Sequence, residues 1–171
     1  VTGCGRLFGS GAEIAAAIRE IIRNETGLTA SAGVAASKLI AKIASDLDKP
    51  DGLTVVEPGR EREFLAELPI NKLWGVGKTT IKSLRLLGIR TIGDLAGLPL
   101  ELLTGKYGKH GNHLYHAARG LDNRPVEPLR EAKSIGHEDT FREDLREPKI
   151  IRAALLDLAG RVGARLRRHA K

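Results

Sequence analysis

A chain of 171 residues with 42% hydrophobic content suits one ordinary domain or two small ones. Its net charge of +7 points to a polyanionic partner, while an aromatic content of 4% argues against a base-stacking platform. The single cysteine, Cys4, excludes a disulfide framework and an all-cysteine metal site, and no stretch approaches a membrane span.

The opening VTGCGRLFGS lacks the basic start and apolar run of a secretory signal, so a reducing, cytoplasmic setting with no membrane partner is expected. These first residues read as the tail of a strand. Residues 9–26 then place Ile14, Ala17, Ile18, Ile21 and Ile22 on one helical face, with Ser10 as N-cap and Gly27 as stop. Residues 28–35 alternate as a short strand, Ser37 caps a second helix in KLIAKIASDLDK, and LTVV (53–56) follows the KPDG turn as another strand. Helix, strand, helix, strand is an α/β unit. From Pro58 to about Leu121 only short helices are expected, at 60–68, 78–87, 91–96, 99–104 and 109–119, which makes an all-α region. After the polar connection DNRPVEPLREAK, SIGHEDTF reads as a strand and 148–169 as a basic amphipathic helix carrying Ile151, Leu155, Leu158, Val162 and Leu166. One strand and one helix cannot enclose a core, so this α+β portion reads as incomplete. With no methionine anywhere and a last helix that stops uncapped, the chain reads as a piece of a longer one.

The stretch Trp74-Gly75-Val76-Gly77-Lys78-Thr79-Thr80 looks like the end of a P-loop. A P-loop needs a glycine five residues before the second one, and that position is Lys72. It also needs a buried strand before it, where this chain has helical spacing and Pro69. A glycine-rich turn between two short helices is instead the helix-hairpin-helix pattern. Gly75 and Gly77 permit positive φ and leave no Cβ to hold a phosphodiester away. Amides at the turn and the following helix start can donate to a phosphate, with Lys78 and Lys82 adding charge and Thr79 capping or donating. Such contacts read the backbone and ignore the bases. The bland reading is an αα-corner that merely turns the chain, and the overall charge favours DNA. A second turn, TGKYGKHGNH (104–113), has similar composition.

Lys38 and Lys42 share a helix face and are suited to a triphosphate, although that spacing alone reads as a solvated lysine face. His110, His113 and His116 rotate too far around a helix to converge on a metal. Asp46 and Asp48 flank a helix end, as solvated or capping carboxylates do, and no carboxylate pair is set for two-metal phosphoryl transfer.

Several segments in order, LTASAGVAASKLIAKIASDLDKPDGLTVV, FLAELPINKLWGVGKTTIKSLRLLGIRTIGDLAGLP, ARGLDNRPVEP and KSIGHEDTF, strongly resemble the bacterial Y-family translesion DNA polymerases. One departure is GVAASK, where the family often has proline and asparagine before the lysine. The resemblance implies the second half of a palm at 1–57, a thumb at 58–122, a linker at 123–133 and the start of a little finger at 134–171. It implies that Lys42 contacts the triphosphate of an incoming deoxynucleoside triphosphate. Gly75, Val76, Gly77 and Lys78 would contact the backbone of primer–template DNA, and Arg130, Lys133 and Ser134 would lie where the connector and little finger reach the duplex. In the family, Mg²⁺ is held by palm carboxylates that would precede Val1, so no catalytic or metal residue is expected in this stretch. A sliding clamp would bind beyond Lys171. Two rivals are a helix-hairpin-helix DNA glycosylase, with Asp94 as its aspartate, and a non-enzymatic DNA-binding module.

Overall fold

The computed structural model describes residues 3–127 and 133–169. The chain divides into two units, Val1–Val126 and Glu127–Lys171.

The first unit opens with a four-residue helix, α1 (Gly5–Phe8), where the sequence suggested the tail of a strand. Helix α2 (Gly11–Thr26) follows and starts as expected: Ser10 and Glu13 form a reciprocal capping box, and Gly27 closes the helix at φ 70°. Strand β1 (Ala32–Val34), helix α3 (Lys38–Ala44) and strand β2 (Leu53–Val55) make a parallel βαβ unit with Gly33 paired to Thr54. The strand expected over 28–35 shrinks to three residues because it has a single partner of that length. An ideal Cβ on Gly33 would stand 2.1 Å from the Ala41 carbonyl oxygen, so glycine there lets α3 lie against the sheet.

Helix α2 only partly covers this sheet. Ile14 and Ile22 are half-buried, but Ile18 and Ile21 are 48% and 53% exposed, contrary to the single buried face expected. Two three-residue strands are too narrow to cover the whole stripe. Ion pairs anchor the helix instead: Arg19 donates to the Ala30 carbonyl and pairs with Asp51 at 2.8 Å, and Arg23 pairs with the same carboxylate at 2.6 Å.

Helix α3 turns its other face, Leu39, Ile40, Ile43 and Ala44, into a core shared with the helices that follow. These are α4 (Glu61–Ala66), a 3₁₀ turn (Ile70–Lys72), α5 (Lys78–Leu86), α6 (Ile92–Ala96), α7 (Leu100–Tyr107) and α8 (Lys109–Ala118). Leu65, Ile70, Leu84, Ile92, Leu95, Leu103 and Leu114 are fully buried there. The α/β portion and the helical portion therefore share one hydrophobic cluster through residue 118.

The second unit contains α9 (Pro148–His169). Residues 134–141, expected as a strand, form neither strand nor helix. A strand needs a partner ladder, and among the described residues none is offered to it. Arg161 holds this segment to α9 by pairing with Asp139 at 3.4 Å and contacting His137, while Arg165 donates to the Gly136 carbonyl. Ala154, Leu158 and Val162 are half-buried, and Leu155 and Leu166 remain 60% and 51% exposed.

Candidate nucleic-acid interface

The hairpin between the 3₁₀ turn and α5 is built from the inside outward. Leu73 is buried, and Val76 is half-buried against the core. Between them Gly75 takes φ 87°, a conformation that side chains rarely adopt. An ideal Cβ on Gly75 would also meet His113 Nε2 at 3.3 Å, so this glycine is required twice.

Gly77 differs from the expectation. Its φ is −75°, ordinary extended backbone at the N-cap of α5, and a Cβ there would meet nothing within 4 Å. Nothing inside the chain demands glycine at 77. The open space in front of it does suit a close approach by another backbone. Gly77 has no side chain to cap α5, and among the described residues the amides of Lys78, Thr79 and Thr80 have no acceptor. Lys78, Thr79 and Lys82 are exposed, with the two lysines one turn apart on α5. Free amides, a positive helix end and two cations make a surface able to take a phosphodiester.

Lys42 lies in the last turn of α3, half-exposed, and is paired with Asp46, which also takes Lys49 at 2.5 Å. Hydrogen bonds from Lys42 and then Lys49 hold the Asp46 carboxyl down at about 2. Lys38 instead donates to the Pro125 carbonyl at 2.6 Å. Asp48 accepts from Thr54. In the second unit Lys133 and Ser134 are exposed, and Arg130 lies outside the described residues.

Two groups at the hairpin were not legible in the sequence. Asp122, whose side chain is 5% exposed, accepts from the Leu39 amide at 3.0 Å and takes a two-pronged guanidinium contact from Arg124 at 2.6 and 3.0 Å. The Arg124 hydrogen bond is the chief cause that depresses the Asp122 carboxyl to about 2. Arg124 in turn stands 5.7 Å from the ring centroid of Trp74, the residue before Gly75. His113 is the other: burial first, then the positive charge nearby, lowers its basicity. No sequence spacing links position 122 to 39 or 124 to 74.

Family models match in chain order. The impB/mucB/samB family covers residues 1–46, a DNA polymerase-iota thumb domain covers 71–122, and the impB/mucB/samB C-terminal domain covers 132–171. The DNA polymerase IV of Desulfatibacillum aliphaticivorans is 49% identical over 98% of this chain and 42% of its own length. The Y-family DNA polymerase chimera Dbh-Dpo4(243-245)-Dbh superposes with a TM-score of 0.78 at 30% identity, covering 94% of this chain and 48% of that one. The chain belongs to the Y-family DNA polymerases.

A structure of an insertion ternary complex of Dbh DNA polymerase is also similar, with a TM-score of 0.64, 32% identity, and coverage of 72% of this chain and 37% of that one. The chain thus spans about half the length or less of the relatives it matches. The polymerase family matches on both sides of the hairpin do not favour the glycosylase alternative. Asp94, the aspartate that reading needs, is the N3 residue of the α6 capping box. Its carboxylate accepts the Thr91 and Arg90 amides, which lower its pKa.

Proposed function

We propose that this chain is part of a DNA-directed DNA polymerase of the error-prone, lesion-bypassing type, and that its hairpin grips the backbone of primer–template DNA. The observation that carries this is the set of free amides at Lys78–Thr80 beside Lys78 and Lys82, on a turn where Gly77 leaves an open approach. Residues 1–57 serve as the second half of the palm, 58–122 as the thumb, 123–133 as linker and 134–171 as the start of a little finger. Lys42 exchanges Asp46 for the triphosphate of an incoming nucleotide, and Lys133, Ser134 and Arg130 reach the duplex. The polymerase works in the cytoplasm, in DNA repair, and a sliding clamp is a candidate partner outside this stretch.

The reaction would use divalent metal, Mg²⁺, to align a primer hydroxyl with the α-phosphate. Among the described residues no group of His, Cys, Asp or Glu could hold such an ion. The residues present do not fit the metal, and no step here is routed through it. What this chain contributes is binding: cations and amides that hold phosphates in place. The 171-residue polypeptide alone is therefore expected to give no templated incorporation with Mg²⁺, checked by primer extension on a gel.

The interface is tested by fluorescence anisotropy with a recessed primer–template duplex and with single strand across a salt series. Duplex preference with affinity falling steeply in salt is expected, the slope reporting the number of phosphates neutralised. Absence of duplex binding at low salt refutes the grip.

A further inference from the structure

We propose that Asp122 and Arg124 are positioning residues, whose ion pair ties the N-terminus of α3, and with it Lys42, to the hairpin that begins at Trp74. The inference rests on the roles given above to Lys42 and the hairpin.

Helix α3 has seven residues, so few intrahelical bonds fix its direction. Its first turn is instead held from outside. Ser37 accepts the Ile40 amide, Asp122 accepts the Leu39 amide from a point 83 residues further along the chain, and Lys38 binds the Pro125 carbonyl. The segment 122–125 thus straps the helix that carries Lys42. A carboxylate at a helix N-terminus also meets the positive end of the dipole, which favours this placement. The second attachment is Arg124. A planar guanidinium that forks onto a carboxylate cannot rotate freely, and this one presents itself to the Trp74 ring within cation–π range. Trp74 is followed directly by Gly75, whose φ of 87° sets the direction in which the hairpin leaves the tryptophan. Movement of the hairpin when it takes a duplex would be felt at Arg124, then at the Asp122 carboxylate, then at Leu39. One turn beyond Leu39 stands Lys42. The strap therefore connects a surface for duplex phosphates to a cation for triphosphate through the side chains of Trp74, Arg124 and Asp122.

The test uses the 171-residue chain and its single tryptophan, Trp74. Arg124→Lys keeps the charge but removes the fork. It is expected to shift Trp74 emission and to speed Leu39 amide exchange about tenfold, the size for a loosened hydrogen bond to a charged acceptor. Exchange at Leu84 and Leu114 in the core should stay unchanged. Asp122→Ala should do the same with a larger effect at Leu39; if that variant fails to fold, Arg124→Lys decides. A Trp74 shift without any change at Leu39 overturns the coupling, as does a uniform rise at Leu39, Leu84 and Leu114, which marks general loosening. Neither readout needs DNA. Anisotropy on the unsubstituted chain is run beside them, so failure of the interface reading and failure of the strap are seen separately.

Discussion

Gly111→Ala is expected to lower the thermal midpoint by roughly 10 °C, the consequence of about 3 kcal/mol of overpacking in a chain of this size. Gly111 is a buried residue of α8 where it crosses α7. An ideal Cβ there would stand 2.0 Å from the Leu103 carbonyl oxygen, 2.3 Å from its carbon and 2.8 Å from the Thr104 nitrogen. All three are backbone atoms of a neighbouring helix, so no rotamer change relieves the clash. The two helices must separate, and Leu103, Leu114, Ala117 and Ala118 lose their packing behind them. The matched control is Gly105→Ala on α7, where a Cβ meets nothing within 4 Å. There alanine should stabilise, by about 0.5–1 kcal/mol, because glycine in a helix forfeits more backbone entropy. Circular dichroism melts of the two variants should move in opposite directions. A normal melt for Gly111→Ala would mean that α7 and α8 are held less closely than the structure places them.

That contrast shows what a sequence makes legible. The helices at 78–87, 91–96 and 109–119 were readable because each couples an apolar face to a stop or cap, as Thr91 and Asp94 do for α6. The glycine at 111 was equally visible, yet only the fold reveals that it faces Leu103 while Gly105 faces solvent. Local chemistry is written locally; the helix crossing is not. The same reason hid the strap, since Asp122 acts on Leu39 across 83 residues. It also made 134–141 look like a strand, because a propensity says nothing about whether a ladder partner exists. Gly5–Phe8 gave no periodic signal at all, being a single turn with no side-chain cap. At the hairpin, the pattern of two glycines was legible but their unequal roles were not.

Those unequal roles set the second large expectation: Gly77→Glu should weaken duplex binding about 30- to 100-fold while leaving the melting temperature unchanged. Gly77 has φ −75°, and a side chain there projects into open space, so the fold loses nothing. What changes is the approach to the amides of Lys78, Thr79 and Thr80. A carboxylate there competes for those amides and repels a phosphate, and loss of charge-assisted hydrogen bonds worth about 2 to 2.8 kcal/mol corresponds to that range. Gly77→Ala, which adds a methyl and no charge, should cost much less. Gly75→Ala should behave in the opposite way, losing stability because φ 87° is strained for alanine and His113 Nε2 stands 3.3 Å from the added carbon. Anisotropy and melting on all three variants therefore sort two mechanisms. If Gly77→Glu bound duplex as well as the unsubstituted chain, the turn would be only a corner between helices. The affinity would then come from the diffuse positive charge of the chain. If binding is lost with the fold intact, the phosphate sits against the α5 amides, and glycine at 77 is there for the ligand rather than for the chain.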